Sequence, residues 1–323
     1  LKINGAKPDK VITVPAPDGS GDKPLQTAAI DEALLPLELS PTDRVGLMLG
    51  YALASLEKTL PSEYVTDDRR LHVLLPAQST LRGEALDPAQ IKALALEAAP
   101  AFSVCDWQFD TSGQSGTSAL TQLANDPEAN SVIFAAVDSL VDVATCFELA
   151  RARRVMTLGA TQGLVPGEAA AAVVLTRAPG EQPVRAWLRG WASEPEPAVG
   201  NAETERLMGL RTAIKTALEQ AELDAGQLQA VSHALGAEVA GELEWYQIQQ
   251  QYWHGQRGPE QQRLHQAFGD VGVAALPLQL ALTAAEYDHQ RGLEQYGFPA
   301  PGPVLVCETP NAPVRGAVCL TPA

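Results

Sequence analysis

Two hydroxyls, one histidine and one carboxylate stand where this sequence could do chemistry. Ser112 and Ser115 lie in a run of small residues, Thr111-Ser112-Gly113-Gln114-Ser115-Gly116-Thr117, between an apolar stretch and a helical one. A serine at such a turn becomes an acyl-transfer nucleophile when a base takes its proton. His233 and Asp270 are of the types that serve as base and orienting acid in such a set. The turn misses the Gly-x-Ser-x-Gly spacing, however, and small hydroxyls in front of a helix commonly satisfy its first N–H groups instead. His233 also fits a purely structural place at a strand end. Glu238, Glu242 and Glu244 follow it, but one histidine with helix-spaced carboxylates falls short of a metal set, so neither a metal nor a cofactor is expected. His254 and His265 flank a polar loop and are expected at the surface. Cys105, Cys146, Cys307 and Cys319 form no C-x-x-C pair and sit in apolar contexts. They are expected as small buried residues of a reducing compartment, the cytoplasm.

The elements that would position these residues alternate in type. Ser40-Pro41 predicts a capped helix running to about Leu60, and Leu71–Leu75 a buried strand. Pro88–Ala98 is helical, Phe102–Phe109 a strand carrying Cys105, and Ser118–Ala124 the helix behind the small-residue turn. Ser131–Val137 and Gly167–Leu175 are further strands around a helix over Val141–Arg153. In the second half, helices are expected over Glu203–Ala221, Ala240–Gln251 and Val271–Tyr287, with strands at Leu228–His233, Pro303–Cys307 and Gly316–Leu320. Residues 1–39, broken by prolines and glycines, are expected as an irregular arm or an eroded first strand. This alternation is that of an α/β protein with mainly parallel strands. The similar order in both parts suggests a division at 1–39, 40–195 and 196–323.

The chain has 323 residues, with 23 Lys+Arg against 39 Asp+Glu, a net charge of −16. That balance argues against nucleic-acid backbones and anionic membranes as partners. Apolar runs such as Ala169–Leu175 are far below the roughly 20 residues needed to span a bilayer, so a soluble chain is expected.

Four segments, taken in order, resemble the thiolase superfamily in its β-ketoacyl-acyl-carrier-protein synthase branch. They are Phe109–Asp138, Thr161–Leu175 (TQGLVPGEAAAAVVL), Val231–Glu244 (VSHALGAEVAGELE) and Phe268–Leu282 (FGDVGVAALPLQLAL). The resemblance implies an αβαβα layered fold of two similar halves, commonly a dimer, with the active site between them. It also implies a cysteine at the N-terminus of a buried helix and two histidines that assist decarboxylation. The overlay places the cysteine on Gly113, which has no side chain to acylate. The first histidine falls on His233, and the second on Asp270, whose ionised carboxylate would repel a malonyl-type substrate and could not donate to an oxyanion. The family's basic residue five positions before falls on His265, the glutamate eleven after the first histidine on Glu244, and the glycine-rich C-terminal loop is reduced to Glu308-Thr309-Pro310-Asn311-Ala312.

The resemblance therefore implies a kept fold without condensation chemistry: a binding or scaffold module. Ketosynthase-like proteins of this kind accompany type VI secretion operons, which implies an adaptor or chaperone-like role toward a secreted effector or a PAAR-type tip protein. Two alternatives stand beside it. One is an acyl-thioester-binding, acyl-transfer or hydrolase enzyme using Ser112, Ser115 or His233, and the other a chain-length-factor-like partner of an active ketosynthase. Trp245, Tyr246, Tyr252 and Trp253 supply either core packing or an aromatic protein-binding patch. The acidity favours a basic or neutral protein partner over an acyl carrier protein.

Overall fold

The structure, a computed structural model, describes residues 7–15, 21–36, 38–61, 65–66, 69–78, 85–157, 162–178, 183–196, 207–236, 238–308 and 314–323. The expected positions Thr161, Ala237, 203–206 and 309–312 lie outside the described residues. Of the two expectations for the N-terminal region, an irregular arm or a first strand, its described residues fit the strand: β1 (Lys7–Pro15) pairs antiparallel with β2 (Asp22–Thr27). Its prolines are compatible with pairing because a two-stranded ribbon leaves every second N–H unbonded.

The helix α1 (Pro41–Glu57) begins where its sequence dictates. Ser40 Oγ accepts the Asp43 N–H at 3.1 Å, and Pro41 occupies the first turn, where no donor is needed. After β3 (Arg70–Leu74), Asp87 caps α2 (Pro88–Ala98) in the same manner. Phe102–Val104 belongs to a 3-10 turn, not to the expected strand, and Cys105 sits between it and β4 (Asp106–Asp110). There follow α3 (Gly116–Asn125), β5 (Ser131–Ser139), α4 (Val143–Arg151) and β6 (Glu168–Thr176). These strands form one sheet in the order β4-β3-β5-β6, with β3 parallel to β4 and β5, and β6 antiparallel to β5.

The second part contains β7 (Ala186–Pro195), α5 (Gly209–Ala221), β8 (Ala230–His233), α6 (Val239–Trp253), β9 (Glu260–Arg263), α7 (Leu264–Phe268), α8 (Ala275–Glu294), β10 (Val304–Glu308) and β11 (Val314–Pro322). Their sheet runs β7-β11-β10-β8-β9. Here β8 is parallel to β9 and β10, and β11 is antiparallel to β10. The series α1-β3-α2-β4-α3-β5-β6 thus recurs as α5-β8-α6-β9-α8-β10-β11, with the same strand directions.

Strand alternation divides the core into layers. Val132, Phe134 and Ala136 of β5, with Val304 and Val306 of β10, join α3 and α8 in one cluster between the two sheets. Ile133, Ala135 and Val137 face α1 and α2 on one outer side. Leu305 and Cys307 face α5 and α6 on the other. The result is an αβαβα stack with α3 and α8 in the middle. Each fully buried Leu, Val or Phe contributes about 1.5–3 kcal/mol, and the three clusters bury dozens of them. All four cysteines are buried and free.

Candidate functional site

The small-residue turn between β4 and α3 is organised by its own side chains. Asp110 Oδ1 accepts the Ser112 hydroxyl at 2.6 Å and its N–H at 2.8 Å, and the other carboxylate oxygen takes the Gln114 amide. Burial pushes the Asp110 carboxyl up, but the bonds from Ser112 and Gln114 outweigh it and hold the group below its ordinary value. Gly113 has φ +69°, and a β-carbon there would stand 2.5 Å from that of Ala77. It belongs to the turn, three residues before the first residue of the helix.

Ser115 is the N-cap of α3: its Oγ accepts the Ser118 N–H at 3.1 Å and lies 2.8 Å from the Ser118 hydroxyl. Both candidate serines are therefore committed to local structure. The residue at the helix N-terminus is Gly116, whose added β-carbon would meet Leu276 Cβ at 2.7 Å.

Sequence reasoning missed the group that faces this terminus. Glu308, at the end of β10 and fully buried, reaches across the central layer to α3. Its Oε1 accepts the Gly116 N–H at 2.7 Å, and its Oε2 accepts the Thr117 N–H at 2.8 Å and the Thr117 hydroxyl at 2.7 Å. Burial holds this carboxyl above its ordinary value, against the pull of the bonds from Thr117 and Gly116. The positive end of the α3 dipole adds to their side. The other half mirrors the arrangement. Asp138, near the end of β5, accepts the Val273 N–H at 3.1 Å where the 3-10 turn Gly272–Ala274 leads into α8. A β-carbon on Gly272 would overlap the Asp138 carboxylate. Each sheet thus sends a buried carboxylate from an equivalent strand to the entry of the other half's central helix.

His233 does not join these groups. On β8, Ser232 points to the central layer, where its Oγ accepts from the Gln279 amide at 3.1 Å. His233, the next residue, points the opposite way and stacks on Trp245 of α6 with ring centroids 4.3 Å apart. It is 1% exposed, and neither ring nitrogen has a hydrogen-bond partner. Burial, followed by the nearby Arg263 and His265, depresses its pKa to about 3, so it is neutral at pH 7. His265 is buried beside it, 6.4 Å away between centroids, and not at the expected surface. Asp270 Oδ1 accepts the Gly272 N–H at 2.9 Å, and its backbone bridges to Val165 and Gly167. The structure therefore does not bring Ser112 or Ser115, His233 and Asp270 into a proton-relay chain.

The Gly-Glu element serves the scaffold. Glu168 accepts from Arg44 Nε at 2.6 Å and Nη2 at 2.7 Å, from Ser139 Oγ at 2.9 Å and from the Ile30 N–H at 2.7 Å. Gly167 permits a backbone approach to Phe268 that any β-carbon would block. Glu244, 2% exposed, pairs with Arg315 Nε at 3.0 Å, joining α6 to β11. Of the four aromatic residues near α6, Trp245 and Trp253 are core, Tyr252 is partly buried, and Tyr246 is 57% exposed. Among the described residues no group of three or more His, Cys, Asp or Glu is placed to hold a metal ion. No described helix is long and apolar enough to cross a membrane.

Searches of family models and of curated proteins give no match to this sequence. Solved structures do match. The oxazolomycin ketosynthase domain of Streptomyces albus JA3453 superposes over 96% of this chain and 66% of its own, with TM-score 0.69 and 15% identity. The ishigamide ketosynthase/chain length factor matches over 96% of this chain and 91% of its own, with TM-score 0.62 and 16% identity. The ketosynthase from module 6 of the bacillaene synthase of Bacillus subtilis 168 matches over 92% and 64%, with TM-score 0.67 and 12% identity. The chain thus spans less than two thirds of the length of both ketosynthase domains. Five layers, a repeated strand order and these likenesses show that the chain has the fold of these ketosynthase domains.

Proposed function

We propose that this chain is a non-condensing ketosynthase-fold protein that works by binding another protein. The observation that carries the proposal is the turn that leads into the N-terminus of α3. Gly113, on which the resemblance places the family's cysteine, has no side chain to acylate, and Ala77 takes the space in which one would project. A thioester-forming step requires a nucleophile at that terminus, because the helix dipole and N–H groups there are what activate a thiol and hold an oxyanion. His233, on the outer face of its sheet, is not available as the assisting base, which removes support from the serine-dependent alternative.

The finer parts of the proposal rest on resemblance and charge. The halves 40–195 and 196–323 act as one body in the cytoplasm, as a monomer or homodimer, and the partner is basic or neutral. An adaptor-like role toward a secreted effector or PAAR-type tip protein is one form of this activity. A second form is pairing with an active ketosynthase, favoured by the likeness to the ishigamide ketosynthase/chain length factor. Co-expression with each candidate separates them. An effector partner co-purifies at fixed stoichiometry and gains solubility or protease resistance. A ketosynthase partner forms a heterodimer whose condensing activity depends on this chain. Absence of a stable complex with either class refutes the binding role.

A further inference from the structure

We propose that His233 and His265 form an acid-released latch on the second sheet: protonation of these rings parts α6, β9 and α7 from β8 while the first half of the fold stays closed. The two imidazoles, 1% and 9% exposed, lie 6.4 Å apart between centroids, and three of their four ring nitrogens have no hydrogen-bond partner. A buried ring in that state is tolerated when neutral and costly when charged. The groups around the pair do not offset such a charge. Arg263 of β9, in register with His233, is itself a cation and is paired with Glu242 of α6 at 2.9 Å. Glu242 favours the charged form of His265, but burial and Arg263 work against it. Glu244 of α6 is paired with Arg315 of β11. On β10 the register neighbour of His233 is Cys307, whose thiol burial pushes well above its ordinary value, so no anion faces the ring from that side.

The elements over the pair lie at the margin of the sheet. The edge strand β9 is bonded on one side only, to β8; α7 has five residues, and α6 begins without a side-chain cap. They are tied to one another: Trp245 Nε1 of α6 donates to Gln261 of β9 at 3.1 Å, Arg263 holds Glu242, and Trp245 rests on His233. A charge on His233 therefore acts on all three together, and a marginal unit can open without global unfolding.

The inference is independent of the protein-binding reading, and the four buried cysteines report it. Cys307 and Cys319 pack in the layer under α5 and α6, whereas Cys105 and Cys146 belong to clusters of the first half. Thiol labelling with dithiodipyridine, which reacts in mild acid, followed by peptide mass mapping gives the rate at each cysteine relative to the same cysteine in the urea-unfolded chain. From pH 8 to pH 5 the relative rate at Cys307 should rise at least about 30-fold, the factor by which the depression of His233 from 6.5 to about 3 favours the open form at pH 5. Cys105 and Cys146 should not respond. His233→Phe, which keeps the stack on Trp245, should cut the rise at least about tenfold, and His265→Gln should also reduce it. Should His233→Phe be recovered unfolded, the wild-type contrast between Cys307 and Cys105 and its reduction in His265→Gln decide in the same way. Equal acceleration at all four cysteines, no acceleration at Cys307, or a rise that survives the substitutions overturns the latch.

Discussion

Acidification should test the placement of His233 quantitatively. Its imidazole is buried against Trp245 without a hydrogen-bond partner, and its pKa falls from 6.5 to about 3. The folded state therefore refuses a proton that the unfolded state accepts. Because the folded value is depressed for a base, stability is complete above pH 6.5 and is lost as pH falls from 6.5 toward 3. Linkage gives a slope of about 1.4 kcal/mol per pH unit over that window, hence about 2 kcal/mol by pH 5. His72 and His265 are shifted the same way by burial and add to the total, so the comparison must be with a variant. His233→Phe keeps the stack on Trp245 and removes the titrating ring. Urea unfolding of both proteins between pH 8 and pH 5 should show the variant gaining on the wild type by about 2 kcal/mol over the range. A constant difference across pH would refute the buried, outward-facing placement. It would mean that His233 is solvated or paired, as a working base would be.

Two further predictions concern the scaffold. Glu168→Ala strands the fully buried Arg44 guanidinium and should cost about 3–5 kcal/mol, read as a lower urea midpoint, whereas an exposed pair such as Lys215–Glu219 should be nearly silent. Gly113→Ala meets both a positive φ and the Ala77 contact and should cost about 1–3 kcal/mol, while Gly226→Ala, with open space around it, should stay within about 0.5 kcal/mol of wild type.

Where local chemistry decides, the structure follows the sequence closely. Ser40-Pro41 and Asp87-Pro88 start their helices, and the apolar runs of β3, β5, β8 and β10 are strands. The N-terminal hairpin was hidden because its prolines, breakers in a central strand, are tolerated in a two-stranded ribbon. The polar edge strand β9 (EQQR) carries no hydrophobic pattern to find. The site was the least legible part. In β8, which ends at His233, every residue is buried, so alternation in the sequence could not say which face the histidine takes; the Ser232 bond to Gln279 and the His233 stack on Trp245 settle it. In the turn before α3 the rule that small hydroxyls cap helices favoured capping, and Ser115 does cap α3. Glu308 was legible only as the start of the reduced C-terminal loop; its contact with a helix 192 residues away gave no local signal.

The central claim is that no acyl group is taken up covalently at α3. Incubating the chain, alone and with its partner, with acyl-CoA and acyl-carrier thioesters of several lengths and recording intact mass tests this directly. The account predicts an unchanged mass and a rate of thioester loss equal to that of buffer. An acyl adduct on this chain, or accelerated thioester loss abolished by His233→Ala, would contradict it.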